Sequence, residues 1–310
     1  KTGDKGLPDY VPERSFKLQW NHQQDPKANP NSTLSASVNF ASSSYERNNL
    51  NSMYNPQTLT QSTRTSSVSW STNFSSKQFP NIGLSLSTTI NLSQSMRDST
   101  INLTLPDLNI SLSRLYPFKR RKAVGKERWY EKIAMSYTGQ LSNSIAGKEN
   151  RILKANFAKE WRHGFQHNIP VQANFTLFNY INLNPSFSFT DRMYTNKVMR
   201  SWDNVHSKEK RDTITGFYNV YNWSLNLAAS TKLYGFWIPN KKLFGNKIQA
   251  IRHVVTPQIT LSYSPNFGAR RYGYYDSYQY TDASGNVKLV EYSPFQEAMF
   301  SVPGKTKTEM

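Results

Sequence analysis

Apolar side chains recur at every second position through most of this chain, and serine, threonine and asparagine fill the positions between. In "GLSLSTTINLS" (83–93), Leu84, Leu86, Ile90 and Leu92 take even positions, while Ser85, Ser87, Thr89, Asn91 and Ser93 take odd ones. The same alternation places Leu34, Ala36, Val38 and Phe40 on one side of an early stretch, and Val68, Trp70 and Phe74 on one side of the next. Side chains of a β-strand point alternately to its two faces, so a period of two predicts strands with one apolar and one polar face. Later stretches repeat it. They carry Ile133, Met135, Tyr137 and Leu141; then Leu153, Ala155, Phe157 and Trp161, with Lys154 and Asn156 opposite; then Val171, Ala173, Phe175 and Leu177; then Ile181, Leu183, Phe187 and Phe189. The longest run joins Phe217, Tyr221, Trp223, Leu225, Leu227, Ala229 and Leu233. Most runs have about 9–11 residues, the length a tilted strand needs to cross a bilayer.

One strand breaks phase. In "INLTLPDLNISL", Ile101, Leu103 and Leu105 precede Pro106 and Asp107, and Leu108, Ile110 and Leu112 follow on the opposite parity. A slip of one residue would turn the second half to the wrong face, so this point is either a bulge or the place where the strand leaves its sheet. "SKQFPNIG", "SMRDS" and "FNY" have the composition of short connections. Residues 42–61, 114–129, 191–213 and 266–286 have that of longer, polar or charged loops. The side of the sheet on which each loop emerges stays open at this stage.

Charge sharpens the reading. Between Thr65 and Ser113 only Lys77, Arg97, Asp98 and Asp107 are charged, all in or beside expected turns or at the phase break. A solvated sheet has no reason to avoid charge, whereas a lysine or arginine facing the bilayer midplane costs about 2–4 kcal/mol. The expected fold is therefore all-β: an antiparallel transmembrane β-barrel, represented by an arc of about eleven or twelve strands from a larger barrel. A small closed barrel is the other way to use that many strands.

Composition agrees. The 310 residues are 37% hydrophobic and 14% aromatic, with a mean hydropathy of −0.68. Disorder would deplete the aromatics, and no run approaches the ~20 apolar residues of a spanning helix. Barrel strands average out to polar because lipid-facing and lumen-facing residues alternate. Net charge is +18, which favours anionic partners such as phosphorylated glycolipid, anionic lipid or nucleic acid. There is no cysteine, hence no disulfide framework or thiolate metal site. The opening "KTGDKGLPDY" has neither an initiator methionine nor an apolar leader, as expected of a mature product or part of a longer protein.

Candidate chemistry is sparse. His163 and His167 are four apart but lack the glutamate that a helical zinc-protease motif requires. No nucleophile elbow, dinucleotide fingerprint or P-loop occurs, so no catalytic residue, metal or cofactor is expected. The Asn-x-Ser/Thr triplets, such as Asn91-Leu92-Ser93, fall inside strands whose alternation generates them by chance. Lys119, Arg120, Arg121 and Lys122 form a basic cluster suited to headgroup phosphates or to a solvated loop beside the membrane. Lys154 and Arg252 fall at polar-face parity, where a barrel wall would present them to the lumen. His253 would then point outward. Trp129, Tyr130, Tyr194, Tyr234, Phe236 and Trp237 suit interfacial aromatic girdles.

Two stretches carry a family resemblance. "RLYPFKRR" followed by "RWYEKIAMSYTGQL", and "IQAIRHVVTPQITLSYSPNF", resemble the barrel of the LptD family of outer-membrane lipopolysaccharide-assembly proteins, in its Bacteroidota form. Tyr116, Pro117 and Phe118 carry the first likeness, and Arg252, His253, Thr256 and Pro257 the second. "QHNIPVQANFTLFNYINLNPSFSF" and "EYSPFQEAMFSVPG" match the same style, so the resemblance runs from about residue 14 to 304. It implies a non-enzymatic role in inserting lipopolysaccharide into the outer leaflet of a Gram-negative outer membrane. It also implies an LptE-like lipoprotein plug in the lumen, membrane lipid around the wall, and a periplasmic LptA-like bridge reached through an N-terminal domain. No nucleic-acid partner is expected. The family's jelly-roll domain has no counterpart among these strands, so residues 1–310 are expected to be part of one barrel domain, and no lateral-gate residue is carried over. Rival readings are a general porin or nutrient-transporter barrel, a soluble adhesin built of sandwiches, and a barrel-borne hydrolase.

Overall fold

In a computed structural model, residues 16–42, 45, 54, 63–75, 83–96, 98–120, 122, 124–152, 154–156, 160–238, 250–281 and 285–305 are described. The alternating stretches become β1 (Lys17–Gln23), β2 (Ser32–Ala41), β3 (Thr63–Ser75), β4 (Gly83–Ser95), β5 (Thr100–Leu115), β6 (Ala134–Lys148) and β7 (Arg162–Gln172). The series continues with β8 (Phe175–Leu177), β9 (Ile181–Asp203), β10 (Lys208–Thr231), β11 (Leu233–Trp237), β12 (Ile251–Val255) and β13 (Gln258–Tyr263). One antiparallel sheet of 11 strands runs β1-β2-β3-β4-β5-β6-β7-β9-β10-β13, with β8 beside β9. Each strand pairs mainly with its neighbour in sequence, the meander that short connections permit. Among the described residues no helix is long and apolar enough to cross a membrane.

Register brings apolar side chains together on one face, although Arg64, Thr72, Thr88 and Gln94 share it. Val68 sits opposite Ile90 and Phe74 opposite Leu84, while Ser67, Ser69 and Ser71 face Asn91, Thr89 and Ser87. On the polar side, hydroxyls bond from strand to strand: Thr33 to Ser71 at 2.7 Å and Ser35 to Ser69 at 2.6 Å. The phase break is a bulge. Leu86 pairs with Ile110 and Thr88 with Leu108, the register shifts between Thr89 and Asn91, and Leu92 then pairs with Leu103 and Gln94 with Ile101. One extra residue in β5 thus keeps the apolar side chains of both halves on the same side of the sheet.

Among the described residues no second strand layer covers the apolar face of β2–β6, although Ala36, Ile101 and Ile145 on it are buried. Trp70 and Leu92 are half-buried, Leu225 is 47% exposed and Ile259 68% exposed. A water-soluble sheet would bury such residues against a second layer. Left half-buried or exposed on one sheet, they instead match a wall that faces lipid.

Several expectations need correcting. Among the described residues of 152–161 there is no strand: β6 ends in the one-turn helix α1 (Glu149–Ile152), and Lys154 sits in a turn, its N–H bonded to the Arg151 carbonyl at 3.0 Å. Leu153 and Phe157 lie outside the described residues. The charged loop expected at 191–213 is mostly strand, because β9 and β10 run on for 23 and 24 residues. At about 3.3 Å per residue each exceeds 70 Å, far more than a bilayer core of about 30 Å, so beyond the lipid both faces can carry charge. The strand expected to run through 171–177 stops at Gln172 and resumes as the short β8. The strand expected across 250–263 is divided at Thr256 and Pro257, although Ser230–Gln258 and Leu233–Val255 keep one register on either side. The loop expected at 266–286 contains β14 (Asp276–Thr281), which pairs with β15 (Val287–Tyr292).

Candidate functional site

At the end of the sheet where β5 finishes and β6 begins lies the basic loop. Tyr116, Pro117 and Phe118 open it, the Lys119 N–H bonding back to the Tyr116 carbonyl at 3.1 Å. The Lys119 ammonium lies 5.3 Å from the Tyr116 ring centre and 3.5 Å from Glu127. Arg120 is committed inward. Its Nη2 donates to Glu131 Oε2 at 3.0 Å, and its Nε and backbone N–H donate to Glu131 Oε1. The Arg128 N–H adds a bond to Oε2 at 2.6 Å. Only 1% of the Glu131 side chain is exposed. The Arg120 hydrogen bonds, helped by the Arg128 amide, hold its carboxyl at about 2, well below the ordinary carboxylate range. Among the described cations of this cluster, Lys119 and Lys122 are the exposed ones; Arg121 lies outside the described residues. A groove of about 460 Å³ runs beside them between Arg114, Tyr116, Lys119 and Lys132.

Arg252 belongs to the same end, on the β11–β12 ribbon that prolongs β10 and β13. It pairs with Phe236 across the ribbon, and its guanidinium lies 4.6 Å from the Tyr234 ring centre and 5.9 Å from that of Phe236. Stacking on two rings fixes the planar fork while leaving its edge N–H groups to bind an anion such as phosphate. His253 sits opposite Gly235 on the ribbon's other face, which gives the imidazole room. Thr256 and Pro257 mark the break, where the Thr231 N–H bonds to the Pro257 carbonyl at 3.2 Å.

Lys154 lies at the opposite end, beyond the last residue of β6. It lines an open groove of about 560 Å³ with Lys148, Arg151 and Glu160. Sequence parity grouped Lys154 with Arg252, but the sheet places them at opposite ends, so they do not form a single site. The two histidines of β7 each bond to a β6 neighbour: His167 to the Tyr137 hydroxyl and His163 to Asn143 Oδ1, both at 2.8 Å. Among the described residues no three or more His, Asp or Glu side chains converge on one point.

A further cluster escaped the sequence reading. Tyr194 and Val220, on the otherwise polar face of β9 and β10, are buried with Phe267, Tyr274 and Phe295. Val220 stands where the alternation calls for a polar residue, whereas Tyr194, expected in an aromatic girdle within a charged loop, is instead buried in a strand.

In comparison with known proteins, a family model described as "LptD protein" matches residues 1–310. No curated protein and no solved structure matches the chain.

Proposed function

The chain belongs to the LptD family, and on that premise we propose that its sheet is one sector of the barrel wall past which lipopolysaccharide is inserted into the outer leaflet. Proteins of this family act in lipopolysaccharide transport at the outer membrane of Gram-negative bacteria, a non-enzymatic task. The observation that carries the finer reading is the unlike character of the two faces. A glycolipid has a polar head and hydrocarbon tails, so it needs a polar route and an apolar surface separated by one wall. The Ser, Thr and Asn rows of β2–β5 offer sugar hydroxyls neutral hydrogen-bonding partners, and the opposite face offers acyl chains an apolar surface.

In this reading residues 1–310 form part of one barrel domain. An LptE-like lipoprotein sits on its polar side, and cargo arrives from a periplasmic LptA-like bridge. Arg252, held by Tyr234 and Phe236, takes a phosphate of the cargo at one end of the wall, and Lys119 and Lys122 lie at headgroup level at the same end, several strands away. Lys154 takes a phosphate at the other end. The test is depletion in the native bacterium, with surface lipopolysaccharide quantified by whole-cell labelling and the protein purified in detergent to identify bound lipoprotein. Loss of surface lipopolysaccharide and co-purification of a lipoprotein are expected. Normal lipopolysaccharide display with impaired small-solute uptake would replace this reading with a porin or nutrient transporter. Within the assembled protein, Arg252→Ala is expected to lower surface lipopolysaccharide at unchanged protein level, and Arg252→Lys to restore only part of it, since an ammonium lacks the planar fork.

A further inference from the structure

The polar face of β9 and β10 is interrupted. Tyr194, Tyr218 and Val220 share it with Ser188, Asn222 and Ser224, yet Tyr194 is 1% exposed and Val220 0%. What covers them is a later part of the same chain. After β13 the backbone leaves the wall at Ser264, whose hydroxyl donates to the Trp223 carbonyl at 3.4 Å. It then follows the edge of β10, where Tyr221 of the apolar face lies edge-on to Phe267, Tyr272 and Tyr274, and returns across the polar face. Phe267, Tyr274 and Phe295 close over the site, with Phe295 stacked on Tyr194 at 5.5 Å and edge-on to Tyr218 at 5.8 Å.

The contacts extend across the neighbouring strands. Met299 and Phe300 lie against Gly164 of β7, where an added Cβ would come within 2.8 Å of both. Ser144 of β6 bonds to the Met299 sulfur at 3.3 Å, and the Tyr194 hydroxyl donates to the Phe300 carbonyl at 2.9 Å. The same stretches serve strand edges that lack a partner. β13 pairs with β10 only from Leu225 to Ser230. Next along that edge, the Tyr274 hydroxyl accepts from the Tyr221 N–H at 2.9 Å and donates to the Tyr221 carbonyl at 3.1 Å. β7 pairs with β9 only as far as Tyr194. Beyond it, the Val198 N–H donates to the Pro294 carbonyl at 2.8 Å and the Arg200 N–H to the Tyr292 hydroxyl at 3.1 Å. Glu297 receives Arg200 and Arg211 at 2.8 and 2.9 Å.

We infer that residues 264–275 and 292–303 form a resident seal on the lumenal face of β6–β10, blocking water and ions at the end where β9 and β10 form their long hairpin. A buried aromatic cluster excludes water, and the edge bonds give the backbone a second attachment, because an unmet N–H or C=O there is costly. Gly164 is the clearance that lets the seal lie flat on the wall. This function is a permeability barrier, separate from carriage of lipopolysaccharide.

The test uses the intact protein isolated from outer membranes, with ion conductance read in planar bilayers and seal position read by limited proteolysis after residue 264. Gly164→Leu, and independently Tyr274→Ala with Phe295→Ala, are made in protein whose heat-modifiable mobility shows that the barrel has folded. Both are expected to expose the seal to protease and to raise conductance several-fold. The chain has no cysteine, so Ser144→Cys with Met299→Cys can tether the seal. Oxidation is expected to return the Tyr274→Ala/Phe295→Ala protein to the low conductance of the unaltered one, and reduction to reopen it. A folded variant with a protease-exposed seal and unchanged conductance overturns the inference, as does a seal that stays protected in both variants. Conductance is measured without cargo, so failure here leaves the transport reading standing.

Discussion

Four N–H groups converge on the Glu131 carboxylate: three from Arg120, counting its backbone amide, and one from the Arg128 backbone. Such an acceptor-saturated carboxylate resists protonation, which is why its pKa falls to about 2. A group whose folded pKa lies below its unfolded value of about 4.3 contributes its full stabilisation above that value and loses it as pH falls toward the folded one. The basic loop should therefore stay ordered above about pH 4.5 and loosen progressively between there and about pH 2. Amide exchange of residues 119–131 across that range measures it. Glu131→Gln should leave the loop unprotected at every pH and flatten the profile, whereas an unchanged profile would show that Glu131 does not hold the loop. None of this was legible in "RLYPFKRRKAVGKERWYEK", where Arg120 is one cation among several. Nothing local marks which of them turns inward, because the choice is made by a carboxylate eleven residues away.

At the scale of the strand the sequence was far more informative, because a period of two survives whatever the strand packs against. The apolar faces of β3, β4 and β5 were legible to the residue, and the break at Pro106 already demanded some device that restores phase. The elements that differ from expectation do so for different reasons. Around 191–213 the density of charge suggests a loop, but a strand long enough to leave the lipid meets water on both sides there and has no reason to exclude charge. Around 152–161 the sequence alternates, yet β6 ends at Lys148 and the chain turns into α1. The bulge and the face assignment can be tested together. Leu86 lies on the apolar side opposite Ile110, and Ser87 on the polar side opposite Asn109. Leu86→Arg should cost about 2–4 kcal/mol of folding free energy if it lies near the bilayer midplane. Ser87→Arg, one residue along, should cost little. Denaturant titration of refolding into liposomes gives both numbers, and equal penalties would mean that the two faces do not see different solvents.

Across the whole molecule, alternation fixes which way each side chain points but not what fills the space on either side. The aromatic-rich stretch after Tyr263 looked like a solvated loop because tyrosine, asparagine and glycine are common in loops. Its partners on the wall were visible only as Tyr218 and Val220 standing at polar positions. The solvent on each side can be established without presuming a cargo, since the absence of cysteine allows single-cysteine scanning. Cysteines replacing Phe74, Leu84 and Leu225 should resist a charged, water-soluble thiol reagent in the membrane-embedded protein. Those replacing Ser69, Ser87 and Asn226 should react, because these residues occupy the polar face. Lipids carrying bromine on their chains should in addition quench an indole placed at Leu225 and spare one placed at Asn226. A soluble protein would reverse none of these chemical identities, but it would have to hide the first set from every reagent by burial, and then brominated lipid could quench neither indole. Quenching at Leu225 alone therefore separates a wall with hydrocarbon on one side from a sheet with a covered core, and its absence would remove the membrane from the description of this fold.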